Sequence, residues 1–472
     1  MSFATGGAFP ASLTPTPTKT LFAGNYLSIG SNDFDFTKQF LPELYEAEVE
    51  RYGNRTVSSF LRQTGSEFAM QSDEIVWSEQ GRLHISYNDA KITTVNDSGD
   101  NNITITGHAI RANQTILVNK GYDTVRAFVK QVVDANTIEA FPYDSATWPA
   151  GFVAAGTNPD LNVFVFGSEF AKKTDGMSGS VDAGFEKYTN KPVIIKDSYS
   201  VSGSDMAQIG WVEVTTEGGD TGYLWYLKSA GETSLRFDDY LEMMLVESEK
   251  AAVSITDSGS NSIEGTEGLF SAIESRGLVF NDHDFDNASG FTGLAEFDTI
   301  LKQLDKQGAI EDNMMYLDRG TSLSIDNMLA RQNGNSTSTG NWGVFNNSSE
   351  MGLNLGFQNF ARGTYQFYKT DWKYLNDAAT RGSIADVEGV MIPAGTQTVY
   401  ENSLGKNMKR PFLHVRYRAN EQENRRRKSW VTGSAGGASN STVDEMNIQM
   451  LSERCLCVQG ANNFITFKAT QA

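Results

Sequence analysis

Cysteine is nearly absent. Cys455 and Cys457 are the only two in 472 residues, too few for a disulfide framework, which excludes the small stapled secreted folds and fits a compartment where thiols are reduced or do not matter. No apolar run approaches the roughly 18 residues of a membrane span. The opening MSFATGGAFP has neither the basic nor the apolar region of a secretory leader, so a soluble protein made in a cytoplasm, with no membrane partner, is expected. Positive charge is also short: 39 Lys plus Arg stand against 58 Asp plus Glu, a net charge of −19, which argues against general binding to nucleic acid or anionic lipid. Proline, at 10 residues, is too sparse for wholesale disorder.

Constellations that carry chemistry are missing as well. The four histidines, His84, His108, His283 and His414, are far apart, and none lies in an HExxH pattern. There is no GxxxxGK[ST] phosphate loop and no G-x-S-x-G elbow. No catalytic residue, cofactor or metal is therefore expected, and the histidines read as structural. Cys455-x-Cys457 puts two thiols on one face of a strand, but tetrahedral zinc wants four ligands, so buried small hydrophobes are the better reading. The run Asp282-His-Asp284-Phe-Asp286 alternates carboxylates as a calcium loop does. Asn287 and Gly293 stand where that loop needs glycine and a bidentate glutamate, and a solvated acidic turn is preferred. Arg425-Arg426-Arg427-Lys428 is the sharpest basic run. It could touch phosphate, but in so acidic a chain pairing with carboxylates on a neighbouring surface is favoured over solvation and over DNA.

What is present is length, glycine and aromatic content. A chain this long suggests two to four units, and 44 glycines with 11% aromatics point to many turns and aromatic-rich strands. The best-patterned stretch is 221–252, TGYLWYLKSAGETSLRFDDYLEMMLVESEKAA. Phe237, Tyr240, Leu241, Met244 and Leu245 fall at i, i+3, i+4, i+7 and i+8, one helical face. A rod of roughly 45 Å running through Gly231 is favoured over two helices broken there, with Phe237, Leu241, Met244 and Leu245 as its core.

Residues 1–40 read as an extended arm and 41–65 as short helices. In 66–92, Ile75 alternates with Trp77, and Leu83, Ile85 and Tyr87 alternate beyond Ser78-Glu79-Gln80-Gly81, the pattern of a projecting hairpin. Such a ribbon is marginal alone in water and needs a partner surface. Five β-prone runs within 100–170 predict an inserted five-stranded barrel or compact sandwich. Strands near 192–196 and 211–214 lead back to the long helix. Helices at 267–275 and 293–307, a strand at 313–317, an amphipathic stretch at 323–330 and a loop over 331–356 follow. Separate strands at 389–392, 412–417, 447–451, 455–459 and 464–468 close the chain, with a flexible GSAGGASNST at 433–442.

The long helix with RFDDYLEMMLVESEKA, the segment RYRANEQENRRRKSWVTG and the closing SERCLCVQGANNFITFKA, taken with the arm and ribbon, resemble the major capsid proteins of tailed double-stranded DNA bacteriophages with the Hong Kong 97-type fold, most closely those of crAss-like phages. The resemblance covers most of the chain in order. It implies an α+β fold: arm (1–40), short helices (41–65), extended loop (66–99) returning through 171–214, and an inserted small β-barrel (100–170) that exceeds the minimal fold. A peripheral domain with the spine helix (215–264), an axial domain (265–390) and C-terminal strands (391–472) would complete it. It further implies a structural virion protein that self-assembles into hexamers and pentamers of an icosahedral head in the host bacterial cytoplasm. Its partners would be other copies of itself, portal, scaffolding and decoration proteins, and packaged DNA held only non-specifically. Because the chain begins directly with the arm, a separate scaffold is expected. Intersubunit contacts are expected at Ile75, Trp77, Leu83, Ile85, Tyr87, Arg425, Arg426 and Arg427, and Trp77→Ala is expected to leave the subunit folded but impair assembly. The alternative is another virion component, such as a tail or decoration protein, or a carbohydrate-binding adhesin using Trp148 and Tyr143 on the β unit.

Overall fold

A computed structural model describes residues 60–61, 66–95, 101–153, 160–181, 184–207, 213–215, 221–281, 283–285, 292–308, 310–334, 359–401 and 406–469. The expected arm, the helices of 41–65 apart from Phe60 and Leu61, the position of Trp211 and most of the loop over 331–356 lie outside these residues. The chain divides into two units, Val76–Tyr188 and the remainder.

The larger unit is built on α1 (Leu224–Glu247), a single helix of 24 residues, about 36 Å long at 1.5 Å per residue. It runs unbroken through Gly231, as the favoured reading has it. Its ends are shorter than expected because β-prone sequence takes over on both sides: β11 (Glu213–Thr215) pairs with β12 (Thr221–Tyr223), and β13 (Lys250–Thr256) pairs with β14 (Ser262–Gly265). Phe237, Leu241 and Leu245, four residues apart, are buried. Tyr240 and Met244, expected on the same buried face, are 41% and 37% exposed. The correction has a geometric cause: past Leu241 the buried stripe turns towards Glu242 and Val246, both buried, and leaves Met244 outside.

One sheet packs on α1. Its path is β1 (Ser66–Met70), β22 (Leu413–Arg418), β24 (Glu445–Val458) and β10 (Val193–Ser202), with β23 (Lys428–Gly433) also paired to β24. Phe237 and Leu241 meet Ile195 and Met450 of this sheet. The strands expected at 447–451 and 455–459 are one continuous strand, β24, which serves β10 along one edge and β23 and β22 along the other. The loop expected to be flexible, 433–442, is stapled: the Gly433 N–H donates to Asn440 Oδ1 at 2.8 Å and the Ser434 hydroxyl to the Val443 carbonyl at 2.9 Å. Gly433 sits at φ 129°, where a Cβ would strike the Glu445 carbonyl.

The second sheet runs β15 (Leu278–Asn281), β25 (Ile465–Lys468), β19 (Val387–Pro393), β16 (Asp312–Leu317), β18 (Tyr365–Asp371) and β17 (Asn359–Arg362). Helices α3 (Thr292–Gln307) and α4 (Arg319–Gly334) bury Phe297, Ile300, Leu304, Ile325 and Leu329 against it. Between the sheets, Leu245 and Val246 of α1 join α2 (Leu269–Arg276) and an aromatic nest in one core. In that nest Phe60 stacks on Trp372 at 4.3 Å and meets Tyr316 edge-on at 4.6 Å. The Phe60 N–H donates to the buried Glu242 carboxylate at 3.0 Å. Burial, reinforced by Glu242, pushes the Tyr316 phenol above its ordinary value. A further ribbon, β20 (Thr396–Glu401) with β21 (Lys406–Pro411), leads into β22.

The smaller unit is a closed barrel of six strands, not five: β3 (Ser86–Val95), β4 (Asn101–Thr104), β7 (Thr137–Pro142), β6 (Asp123–Asp134), β5 (Gln114–Lys120) and β8 (Leu161–Ser168). Alternating residues, among them Ile92, Ile103, Ile116, Val118, Ala127, Val129, Ile138 and Val163, fill it. The sixth strand is the one expected to be the second arm of the ribbon. Strand β2 (Ile75–Gln80) instead pairs with β9 (Phe185–Asn190), more than a hundred residues away, so 78–81 is not a hairpin turn.

Two outcomes test this account of α1. Gly231 has non-positive φ and open space where a Cβ would stand, so Gly231→Ala is expected to stabilise the chain by about 0.5–1 kcal/mol in urea unfolding; a loss would mean the helix is broken there. Leu241→Ala, by emptying a buried site, should cost about 2–5 kcal/mol, and a change below half a kcal/mol would mean that face is not core.

Candidate interaction surfaces

Arg425–Arg427 lie in the connection from β22 to β23 and Lys428 opens β23, and each of the four meets a carboxylate of its own chain. Arg425 pairs with Glu453, Arg426 with Glu67, and Lys428 with Glu423. Arg427 donates to Asp238 of α1 at 2.8 Å and to the Ser234 hydroxyl at 2.7 Å. Glu453 is buried and also accepts from Arg418 at 2.9 Å. Arg454, one residue on, is buried and donates to Ser452 Oγ at 2.8 Å and to the Arg426 carbonyl at 2.7 Å, with Glu67 at 3.3 Å. Burial pulls its guanidinium below the usual arginine value, while Glu67 opposes this. Together Glu67, Asp238, Glu242, Arg426, Arg427 and Arg454 line most of a cavity of about 870 Å³. The spacing of Arg425–Lys428 announced a basic cluster; that Glu67, Asp238 and Glu453 would meet it could not be read from spacing, because they lie up to 359 residues away.

The expected contact residues separate into three environments. Ile75 is half-buried on β2. Trp77, 8% exposed, is packed within the smaller unit: its ring lies 6.2 Å from Tyr188 and its indole N–H donates to Glu79 at 3.0 Å. The opposite side of β2 carries Val76, 48% exposed, and β9 carries Phe185, 70% exposed. Leu83 is exposed. Ile85 and Tyr87 do not belong to the ribbon; they pack against the barrel core, where the Tyr87 hydroxyl accepts from the Ala109 N–H at 2.6 Å. Trp148, expected as an exposed platform, is buried and donates to the Ala140 carbonyl at 3.1 Å, whereas Tyr143 is exposed with its hydroxyl donating to Glu169 at 2.6 Å.

The remaining chemistry-bearing residues have local work. Cys455 and Cys457 are free and buried; their mutual hydrogen bond, with burial, holds the Cys455 thiol far above its ordinary range. His283 Nε2 pairs with Glu388 at 2.8 Å, and Thr321 also donates to that carboxylate. These contacts, the histidine bond first, hold Glu388 below the usual carboxylate value. Asp282 and Asp286 of the expected acidic turn lie outside the described residues. At the end of α1, Glu247 accepts from Tyr374 and Arg381, and Arg381 stacks over Phe270 at 4.7 Å. A signal missed in the sequence is Asn190, whose amide donates to the Leu456 and Glu267 carbonyls and accepts from the Glu267 N–H, fastening the end of β9 to β24 and to the segment that leads into α2.

No family model matches the chain, and no curated protein matches it in sequence. Among solved structures it is similar to the capsid of the cyanophage P-SCSP1u, with 9% identity over 97% of this chain and 99% of that one and a TM-score of 0.40. It is also similar to the mature capsid of bacteriophage PhiM1, with 7% identity over 98% and 99% and a TM-score of 0.39. The capsid of a native GTA particle matches with 8% identity over 92% and 96% and a TM-score of 0.39. Likeness at this level assigns neither family nor activity.

Glu453→Gln weakens two charge-assisted contacts at a buried site and should cost about 1–3 kcal/mol in urea unfolding. For Glu388 the folded value is depressed, so its contribution is present above the unfolded value near 4.5 and is lost as the pH falls through the lower folded value. The stability gap between the natural chain and Glu388→Gln should therefore be widest near neutrality and close on acidification; a gap that grows towards acid would overturn the assignment.

Proposed function

We propose that the chain is a shell protein: a major capsid protein that self-assembles into the hexamers and pentamers of an icosahedral head enclosing the double-stranded DNA of a tailed bacteriophage. The observation that carries this reading is the pair of two-stranded ribbons, β2 with β9 and β13 with β14, whose apolar residues Val76, Phe185, Val253, Ile255 and Ile263 are uncovered in the single chain. Two strands alone are marginal in water, and uncovered apolar faces mark contact surfaces. Copies arranged by symmetry supply such a surface to every ribbon at once. The resemblance of the 221–252 and C-terminal segments to Hong Kong 97-type capsid proteins supports the same reading, with α1 as the spine.

The remaining roles follow from that assignment. Portal, scaffolding and decoration proteins are the further partners, and assembly takes place in the host cytoplasm. A net charge of −19 lets packaged DNA lie against the inner wall without adhering. The function is mechanical and uses no catalytic residue.

Electron microscopy of the purified protein, alone and with its scaffold, should show closed shells; a persistent monomer under both conditions would overturn the proposal. Val76→Asp with Phe185→Asp alters only exposed positions. It should leave the circular dichroism of the subunit unchanged while reducing shell yield at least tenfold.

A further inference from the structure

The outer face of the barrel is apolar where an isolated barrel would be polar. Strand registers place Phe164 of β8 beside Leu117 of β5 and Leu117 beside Arg126 of β6, while Phe128 of β6 faces Phe141 of β7. The four apolar side chains, Phe164, Leu117, Phe128 and Phe141, point outward, opposite the inward Ile116, Val118, Ala127 and Val163. Phe164 is 41% exposed, and Phe166, two residues along β8, is 49% exposed. The band is continuous over four strands.

Two basic residues belong to this face, one paired and one not. Lys130, at the edge of the band, is neutralised by Glu139 at 2.9 Å. Arg126 is exposed in the middle of the apolar surround and has no carboxylate or hydrogen-bond acceptor for its guanidinium among the described residues. In a chain of net charge −19, an unpaired arginine set among aromatics is a seat for a carboxylate carried by an apolar partner surface.

We infer that this barrel face, centred on Leu117, Arg126, Phe164 and Phe166, docks an acidic surface of a second copy of the chain. The contact is heterologous, because two such faces brought together would oppose one Arg126 to another. Its area, on the order of a few hundred Å², falls short of the roughly 800 Å² per partner of a stable pair, so it acts as one contact among several. The inference deepens the shell reading and rests on self-association, and its test separates the two.

Phe166 is replaced by photoreactive p-benzoylphenylalanine in the full chain, and the purified protein is irradiated at high concentration. An adduct of twice the chain mass is expected, joined to a peptide that contains Asp or Glu. Arg126→Glu in the same background should reduce its yield at least tenfold, and Arg126→Lys should retain it. Adducts confined to the chain's own residues, or insensitivity to Arg126→Glu, would overturn the inference. Shells seen by microscopy without an intermolecular adduct would overturn the docking and leave the shell reading intact; an arginine-dependent adduct in a protein that forms no shell would do the reverse.

Discussion

The apolar stripe of α1 is divided between two cores, and the larger unit is arranged around that division. Phe237 and Leu241 are covered by β10 and β24, whereas Leu245 and Val246 enter the core shared with α2 and the Phe60–Tyr316–Trp372 nest. One rigid element thereby fixes the position of a sheet relative to a second core. The glutamates on its remaining faces are put to use: Glu242 holds the Phe60 backbone, and Glu247 holds Arg381 and Tyr374. A change in the direction of the helix would disturb both cores together.

Charge follows a related logic. A chain with so many surplus carboxylates repels itself, and the larger unit answers by spending its basic run internally. Arg425, Arg426 and Arg427 tie the β22–β23 connection to β24, β1 and α1. Under the proposed shell function, copies of so acidic a chain need uncovered apolar faces such as those of Val76 and Phe185 to meet, which makes weak contact selective rather than general.

Local periodicity carried most of what was legible beforehand. The helix through Gly231, helices α2 and α3, the strands of the barrel and β25 all announce themselves within a window of ten or so residues. Pairing partners do not. Ile75 and Trp77 alternate, and so do Ile85 and Tyr87, which makes a hairpin the economical expectation; yet one strand zips to β9 and the other closes the barrel, because closure buries Ile92 and Ala90. The same limit hid the acidic partners of Arg425–Arg427. Met244 was misplaced for a different reason: the helical stripe is set by what packs on it, and the packing turns at the end of α1. Trp148 shows that an aromatic in a loop can be a plug as readily as a platform.

The pairing of β2 with β9 also bears on how the chain finds its fold. Strands β1 and β10 belong to one sheet, although 122 residues separate Met70 from Val193. Bringing the ends of so long a flexible loop together costs about 4 kcal/mol beyond a constant. Once the barrel has closed and β2 has zipped to β9, those two strands lie about one strand spacing apart, ~4.8 Å, and much of that entropy has been met by contacts inside the smaller unit, although β1 and β10 themselves are separated in their sheet by β22 and β24. The insertion thus behaves as a clasp: it shortens the loop it creates, and the sheet on α1 forms as though the intervening residues were a much shorter crossover.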